Sequence, residues 1–162
     1  MPLVERNGEL SVLLTQRAKH LKHHGGQISF PGGRIEDSDA GPLDAALRET
    51  EEEVGLPAAN IEVAGFLDNY FTITGYSVTP VVGFYREDME LTLDRTEVDD
   101  AFEVPLAYLF DPGNHHRKKK TIYGYEIPYF QIPWKDRDIW GATASMIVCF
   151  YRTILEPGDG SG

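Results

Sequence analysis

Residues 42–54 carry the start and stop signals of one helix, and this helix limits the folds that the chain can adopt. Pro42 suits the first position of a helix, whereas Gly55 and Pro57 mark its end. On a helix that turns by about 100° per residue, one side gathers small or apolar side chains. These residues are Leu43, Ala46, Leu47, Thr50 and Val54. We therefore expect this side of the helix to pack on a β-sheet.

The opposite side of the predicted helix concentrates negative charge. Glu49, Glu52 and Glu53 stand at i, i+3 and i+4 and share one face, whereas Glu51 points elsewhere. Three carboxylates at close range cannot all stay ionised without a counter-charge. Hard divalent cations supply that charge and prefer oxygen ligands, so the spacing favours a Mg²⁺ or Mn²⁺ site. Taken alone, however, a run of glutamates is more often a solvated helix face.

The remaining sequence predicts a fold rich in β-strands around this helix. Strands are expected at 9–16, 61–67, 69–74 and 77–86, the last interrupted by Pro80, with a short strand running into a turn at 28–33. Further elements are a short helix near 105–110, a hairpin at 121–132 and a C-terminal helix at 139–155. Loops are expected at 34–41, in the acidic stretch from residue 94, and at the basic residues 115–120. This order indicates an α/β or α+β fold built in layers.

Composition and charge narrow the class of protein. With 162 residues, 41% of them apolar, the chain is expected to form one domain over 1–155, followed by a disordered tail over 156–162. No apolar run approaches the roughly 18–20 residues of a membrane span, and no secretory signal is found, so we expect a cytoplasmic protein without a membrane partner. The net charge of −11 disfavours a nucleic-acid partner. The single Cys149 cannot form an intrachain disulfide and is expected to be a small buried hydrophobic residue.

Residues 30–56, FPGGRIEDSDAGPLDAALRETEEEVGL, resemble the signature of the Nudix hydrolases. These are metal-dependent enzymes that cleave a nucleoside diphosphate linked to another moiety. Their signature reads G, five residues, E, seven residues, then R-E-hydrophobic-x-E-E-x-G-hydrophobic. The matching places hold Gly33, Arg48, Glu49, Glu52, Glu53, Gly55 and Leu56, with Thr50 at the first hydrophobic place. The upstream acidic place holds Asp39 instead of Glu, and the interval from Asp39 to Arg48 is one residue longer.

Residues 13–33 resemble an additional motif of the coenzyme A diphosphatase branch of this family. That motif runs L-L-T-x-R-[S/A], three residues, R, three residues, G, three residues, F-P-G-G. The chain matches it at Leu13, Leu14, Thr15, Arg17, Ala18, Gly26, Phe30, Pro31, Gly32 and Gly33, and Lys22 replaces the second arginine. The longer box and the segment IWGATA, residues 139–144, are similar to the branch as well. Relative to the branch, we expect residues before Met1 to be missing.

The resemblance implies the Nudix fold, a mixed β-sheet sandwiched between α-helices, with the box as a loop–helix–loop catalytic motif. It implies that Glu49, Glu52 and Glu53 hold Mg²⁺ or Mn²⁺ against the diphosphate, and that a metal-bound water attacks phosphorus. Arg48 would brace the Glu52 carboxylate through a charge-assisted hydrogen bond. The resemblance leaves the identity of the general base open, since it can come from the box or from the later acidic loop. In that loop Glu97 is the first candidate for a fourth carboxylate, ahead of Asp100 and Glu103.

Substrate binding is implied at four residues of the branch motif. Arg17 and Lys22 would pair with substrate phosphates, including the 3′-phosphate of coenzyme A, whereas Gly32 and Gly33 would allow tight backbone turns beside the metal loop. The nearby histidines are expected to be exposed loop residues; they are His20, His23 and His24. The aromatic residues of the 121–132 hairpin are expected to build the core, and a place in the substrate cleft stays open for Tyr123 and Tyr125.

The implied reaction is the hydrolysis of coenzyme A or acyl-coenzyme A to 3′,5′-ADP and 4′-phosphopantetheine or its acylated form. An alternative in the same class is a Nudix pyrophosphatase for ADP-ribose or a dinucleotide such as NADH. A catalytically silent nucleotide sensor is disfavoured because the box glutamates are retained. A Ca²⁺-binding protein is disfavoured because the EF-hand spacing is absent. The expected partner is a small-molecule substrate, and the sequence leaves a homodimer open.

Overall fold

The computed structural model describes residues 1–86, 88, 90–122 and 124–156. Of the tail expected over 156–162, all but Glu156 lies outside the described residues, and so does Tyr123.

A six-stranded mixed sheet forms the centre of the fold. Its strands are β1 (Pro2–Arg6), β2 (Glu9–Arg17), β3 (Ile28–Ser29), β4 (Ile61–Phe66), β7 (Val81–Tyr85) and β8 (Val98–Pro105). The order is β3-β2-β1-β7-β4, and β8 lies outside this order and pairs with β2. The pairing of β1 with β7 is parallel and the other pairings are antiparallel.

Two smaller sheets and three helices complete the described structure. A hairpin consists of β5 (Tyr70–Phe71) and β6 (Ser77–Val78), and a three-stranded sheet consists of β9 (His116–Ile122), β10 (Tyr125–Trp134) and β11 (Arg137–Trp140). The helices are α1 (Pro42–Val54), α2 (Leu106–Leu109) and α3 (Ala142–Leu155), with 3₁₀ turns at Ala58–Asn60 and Pro112–Asn114. No helix in the described ranges is long and apolar enough to cross a membrane.

The core lies on both faces of β2, because successive side chains of a strand point to opposite faces. Val12 and Leu14 pack into a cluster with residues of β10, β11 and α3. Leu13, on the other face, packs into a cluster with Val54 and Leu56 at the end of α1. The mixed sheet is therefore sandwiched between α1 on one side and α3 with the three-stranded sheet on the other, which confirms the predicted Nudix fold.

The helix at 42–54 has the predicted bounds, but its buried side differs from the prediction. Thr50 and Val54 are buried as expected, whereas Leu43, Ala46 and Leu47 are only partly buried. Ala45 and Glu53 are buried in their place. The prediction placed Glu53 with Glu49 and Glu52 on the face opposite the apolar side, and it did not include the burial of Glu53. The segment 92–94 covers the last turn of the helix, where its N–H groups donate to the carbonyls of Glu53 and Val54.

Several predictions outside α1 were wrong for related reasons. The basic residues 115–120 were expected to form a loop, but His116–Ile122 is an edge strand, where lysines discourage pairing with other chains. The acidic stretch contains strand β8, which pairs along β2 and begins with the buried Val98 and the exposed Asp99. The C-terminal helix begins at Ala142 instead of 139, since β11 occupies Arg137–Trp140. Cys149 is exposed and not buried.

Candidate active site

The carboxyl group of Glu53 is almost completely buried. The residue is 4% exposed, and this burial is the main reason that its pKa rises from 4.5 to about 7. The negative charges of Glu49 and Glu97 raise the pKa further, whereas Arg17 and the backbone N–H of Gly32, which donates to the carboxylate, lower it. The positive charge around Glu53 is therefore too small to stabilise its ionised carboxylate fully.

Glu49 lies against the loop that precedes α1. A Cβ atom added at Gly33 would stand 2.2 Å from Oε1 of Glu49, so the carboxylate occupies the space that a side chain at position 33 would take. Burial raises the pKa of Glu49, and its contact with Arg48 opposes that rise. Gly33 thus makes room for a carboxylate, while Gly32, with φ of +157°, places its N–H toward Glu53.

Arg48 holds three acidic side chains at once. Its Nε and Nη2 donate to the two oxygens of Asp39, both at 2.9 Å. Nη1 donates to Glu49 at 3.0 Å and to Glu52 at 3.2 Å, and Nη2 also donates to the carbonyl of Arg34 at 3.0 Å. The predicted brace to Glu52 is present, but it is the longest of these contacts. Sequence reasoning missed the main partner, because the extra residue in the box obscured the place of Asp39.

Asp39 and Arg48 form an ion pair in which each residue shifts the pKa of the other. Hydrogen bonds from Arg48 and from the N–H of Glu36 lower the pKa of Asp39 to about 2, and Asp39 in turn raises the pKa of Arg48. Asp39 therefore stays ionised at every pH above about 4. It fixes Arg48, and through Arg48 the positions of Glu49 and Glu52.

Glu52 is the open member of the group, with a side chain 59% exposed. It borders a depression of about 540 Å³ that runs along α1 and is also lined by Arg48, Asp39 and Glu51. Glu49 and Glu53 do not line this depression, so the three box glutamates differ in access. Glu52 faces open space, whereas the other two lie inward.

The later carboxylates that follow Asp94 separate into two kinds. Glu97 is exposed, and its charge acts on both Glu49 and Glu53. Its backbone carbonyl accepts from the N–H of Ala18 at 2.8 Å, which ties this loop to the end of β2. By contrast, Asp100 pairs with Arg137 at 2.6 Å and Glu103 pairs with Arg6 at 2.7 Å. Glu97 is thus the best placed of the three candidates, and its catalytic role stays a prediction.

Arg17, the last residue of β2, lies at the inner end of the site. Its charge acts on Glu53, and its Nε is buried without a hydrogen-bond partner among the described residues. Lys22 and the histidines His20, His23 and His24 are exposed in the loop between β2 and β3. Of the two predicted phosphate-binding residues, Arg17 is therefore the one that the fold brings next to the box glutamates.

The residues present fit a divalent cation. No three His, Cys, Asp or Glu side chains in the described part of the chain already form a metal cage. However, Glu53 is buried with raised pKa, the charges of Glu49 and Glu97 act on it, and all the donors are hard oxygens. Glu52 could join them by giving up its 3.2 Å contact with Arg48. This donor set suits Mg²⁺ or Mn²⁺ better than a softer metal.

Comparison with solved structures shows which proteins share the fold. A Nudix hydrolase from M. smegmatis, RenU, superposes with a TM-score of 0.65 at 18% identity, covering 100% of this chain and 86% of that one. The NUDIX domain of Shewanella oneidensis NrtR, solved with ADP ribose, gives 0.56 at 18% identity, covering 95% and 84%. A binary complex of the C. elegans Ap4A hydrolase gives 0.56 at 18% identity, covering 65% and 76%.

Sequence comparison reaches closer relatives. Residues 1–124 match the model of the NUDIX domain. Escherichia coli K12 has an uncharacterized Nudix hydrolase, NudL, that is 40% identical over 147 residues, covering 91% of this chain and 76% of the relative. A NudL of Shigella boydii is 40% identical over the same length. Since both the domain match and these relatives span most of the chain, and the box residues meet in one place, the chain belongs to the Nudix hydrolase family.

Proposed function

We propose that the protein hydrolyses the diphosphate bond of coenzyme A or acyl-coenzyme A, releasing 3′,5′-ADP and 4′-phosphopantetheine or its acylated form. The observation that carries this proposal is the meeting of two motifs. Arg17 and Gly32 belong to the part of segment 13–33 that a general Nudix box does not require, and both act on Glu53, Arg17 through its charge and Gly32 through its backbone N–H. The segment that resembles the coenzyme A branch thus supplies part of the candidate site itself.

The chain's own side chains suggest a division of roles. Asp39 fixes Arg48, and Arg48 orients Glu49 and Glu52. The partly buried guanidinium of Arg17 would pair with oxygens of the diphosphate. The diphosphate would then accept the hydrogen bond for which Nε of Arg17 has no acceptor among the described residues. Bound Mg²⁺ or Mn²⁺ would neutralise charge on the diphosphate and lower the pKa of a water. Glu97 would accept a proton from the attacking water as the water oxygen bonds to phosphorus, while the bridging P–O bond breaks and the released phosphate leaves as an anion.

The direct test is to identify the products formed in Mg²⁺ or Mn²⁺ from coenzyme A, octanoyl-coenzyme A, ADP-ribose and NADH. We expect 3′,5′-ADP from the first two at the highest kcat/KM. Glu52→Gln keeps the shape of the side chain but removes its charge, and should lower kcat at least about 100-fold with folding retained. Preferential cleavage of ADP-ribose or NADH would overturn the coenzyme A assignment and leave the alternative pyrophosphatase.

Arg17 offers a second test, because it can act on either of two phosphate groups. Its place beside Glu53 favours the scissile diphosphate over the 3′-phosphate. We therefore expect Arg17→Ala to lower kcat/KM for coenzyme A and for dephospho-coenzyme A by similar factors, on the order of 100-fold. Lys22→Ala, a change at an exposed position of the same motif, is the matched comparison. If Arg17→Ala lowers kcat/KM much more for coenzyme A than for dephospho-coenzyme A, Arg17 binds the 3′-phosphate instead.

A further inference from the structure

Strand β8 contains a β-bulge beside the candidate active site. Gln16 of β2 stands opposite Asp100. The next residue of β2, Arg17, stands opposite Val98, so that Asp99 is an extra residue of β8. A bulge bends its strand, and bulges are frequent next to active sites, where they redirect side chains. This bulge therefore determines how the chain before β8 leaves the sheet.

The extra residue changes the face of the sheet to which the start of β8 points. Leu13, Thr15 and Arg17 alternate along β2 and point to the side of α1, since Leu13 packs into the cluster at the end of that helix. Ala101 stands opposite Thr15 and packs into the same cluster. In a regular strand Val98 would point to the other face, three positions before Ala101, but the bulge places it opposite Arg17 on the side of α1. The acidic loop before Val98 is thereby turned toward the helix of the box glutamates.

Asp99 fixes this bulge to the loop that follows β2. Its Oδ2 accepts from the backbone N–H of Lys19 at 3.0 Å, and its carbonyl accepts from the guanidinium of Arg95. Beside these contacts, the carbonyl of Glu97 accepts from the N–H of Ala18 at 2.8 Å. The N–H groups of two successive residues thus hold the acidic loop at the end of β2, and the side chain of Asp99 accepts one of these two hydrogen bonds.

The other end of the acidic loop is fixed to α1. The N–H of Asp94 donates to the carbonyl of Glu53 at 3.1 Å. Oδ1 of Asp94 accepts from the N–H and the hydroxyl of Thr96 at 2.9 and 2.7 Å, and its carbonyl accepts from the N–H of Glu97 at 3.0 Å. Glu97 therefore lies between two fixed points, and its charge acts on Glu49 and Glu53.

We infer that Asp99 is a positioning residue of the candidate active site, which holds the bulge so that Glu97 stays beside the box glutamates. The inference rests on the proposed function, since it takes Glu97 as the group that accepts a proton from the attacking water. Asp99 is exposed and its carboxylate is bonded to backbone, so it acts through the loop and not on the substrate. A group on a loop is held less precisely than one on a helix or strand, and proton transfer requires precise placement. Fixing both ends of the loop provides that precision.

The experiment compares Asp99→Ala and Asp99→Asn with the wild-type chain. Alanine removes the acceptor for the N–H of Lys19, whereas asparagine retains a carbonyl oxygen that can accept it. We expect Asp99→Ala to lower kcat about 10-fold with KM nearly unchanged, and Asp99→Asn to recover most of that loss. The matched control is Asp138→Ala, which removes an exposed strand carboxylate that accepts from Gln131 at 2.9 Å and should retain the wild-type kcat.

A double-mutant cycle shows whether Asp99 acts through Glu97. Glu97→Gln keeps the shape of the side chain but removes the proton acceptor, and should lower kcat about 100-fold. In that background Asp99→Ala should lower kcat by less than about twofold, because no proton acceptor is left to misplace. The same 10-fold fall in both backgrounds would overturn the inference. A Glu97→Gln variant with the wild-type kcat would overturn it as well, since Asp99 would then have no reacting group to position.

Hydrogen exchange provides a measurement that does not depend on activity. Since the N–H of Ala18 donates to the carbonyl of Glu97, Asp99→Ala should increase its exchange rate by about 10-fold, and Asp99→Asn should restore the protection. Equal protection of Ala18 in Asp99→Ala and the wild type would contradict the inference, and so would a lowered Tm with unchanged kcat. A wild-type chain that cleaves ADP-ribose but not coenzyme A would refute the proposed substrate alone, because the cycle is then measured with ADP-ribose.

Discussion

The carboxyl group of Glu53 gives up its contact with water, and its pKa rises from 4.5 to about 7 as a result. Because this folded-state pKa lies above the value of the unfolded chain, the folded state loses stability as the pH rises from about 4.5 through 7. The full cost is present above pH 7. A fold that keeps an ionisable group in such a place gains nothing in stability from it, which favours a functional reason for the residue.

This cost can be measured with Glu53→Gln in the presence of EDTA. The amide has the same shape but no charge, so we expect the free energy of unfolding at pH 8 to rise by about 1–3 kcal/mol. The difference should shrink toward zero as the pH falls below about 4, where Glu53 is protonated in both states. Urea unfolding at several pH values measures it, and Glu51→Gln, at an exposed position of α1, is the control. A less stable Glu53→Gln at pH 8 would contradict the prediction.

Gly33 makes a second prediction at the scale of single residues. Gly33→Ala places a methyl group where the Glu49 carboxylate lies, and the end of a flexible side chain can move aside more easily than backbone. We expect a small change in Tm but a fall in kcat of about 10- to 100-fold, because a displaced Glu49 carboxylate would misplace the groups around it. Gly41→Ala is the matched control in the same loop, since a Cβ there meets no atom within 4 Å. A loss of activity equal in both variants would argue against the special role of Gly33.

At the scale of elements, local signals in the sequence were sufficient to predict where α1 begins and ends. They were not sufficient to predict which of its side chains are buried. Pro42 and Gly55 predicted both ends of the helix, and Gly55 indeed ends it with φ of 73°. The periodicity of α1 did not predict that Glu53 would be buried, because that depends on chain segments distant in sequence. The carbonyl of Glu53 accepts from the N–H of Asp94 at 3.1 Å, and that of Val54 accepts from Thr92 at 2.9 Å. Contacts of this kind leave no local pattern in the sequence.

The loop before α1 is joined to the helix by Asp39, and this junction can be tested. Asp39→Asn keeps the size of the side chain but removes the charge that holds Arg48, so Glu49 and Glu52 should lose their fixed positions. We expect kcat to fall roughly 10-fold or more with little change in KM, because positioning is lost and not substrate contact. Asp37→Asn, at an exposed position of the same loop, should leave kcat unchanged.

The pH profile provides a check on the same junction. Since the pKa of Asp39 is lowered to about 2, its contact with Arg48 is complete above pH 4 and is lost only as the pH falls through about 2. The reduced kcat of Asp39→Asn should therefore be a constant factor between pH 5 and 9. A factor that varies strongly with pH over this range would mean that Asp39 takes part in proton transfer and does not only position Arg48.

At the scale of the whole molecule, the layered fold followed from sequence because β2 reads as apolar on both faces and α1 carries two unlike faces. The hairpin predicted at 121–132 is present where β9 and β10 pair, but the sequence did not predict that β9 begins at His116, because the arginine and lysine residues there resemble a loop. The parallel pairing of β1 with β7 joins residues about 80 positions apart, and no short window of sequence contains both. Most residues of the candidate site could be predicted because they lie within two short motifs, at 13–33 and 30–56, whereas Glu97 lies outside both.

A divalent cation should link this site to the stability of the whole chain. A cation that binds only the folded protein adds about 2.7 kcal/mol at 100 times its Kd, which for a chain of this size corresponds to a rise in Tm of roughly 5–10 °C. We expect Mn²⁺ or Mg²⁺ to raise the Tm of the wild type at pH 8 by such an amount, and of Glu53→Gln by much less, although the variant starts from the higher metal-free Tm. At pH 5 the wild-type rise should also be small, because Glu53 is then largely protonated. Differential scanning calorimetry with and without the cation measures both effects, and equal rises in the two proteins at pH 8 would mean that the cation binds somewhere other than the box glutamates.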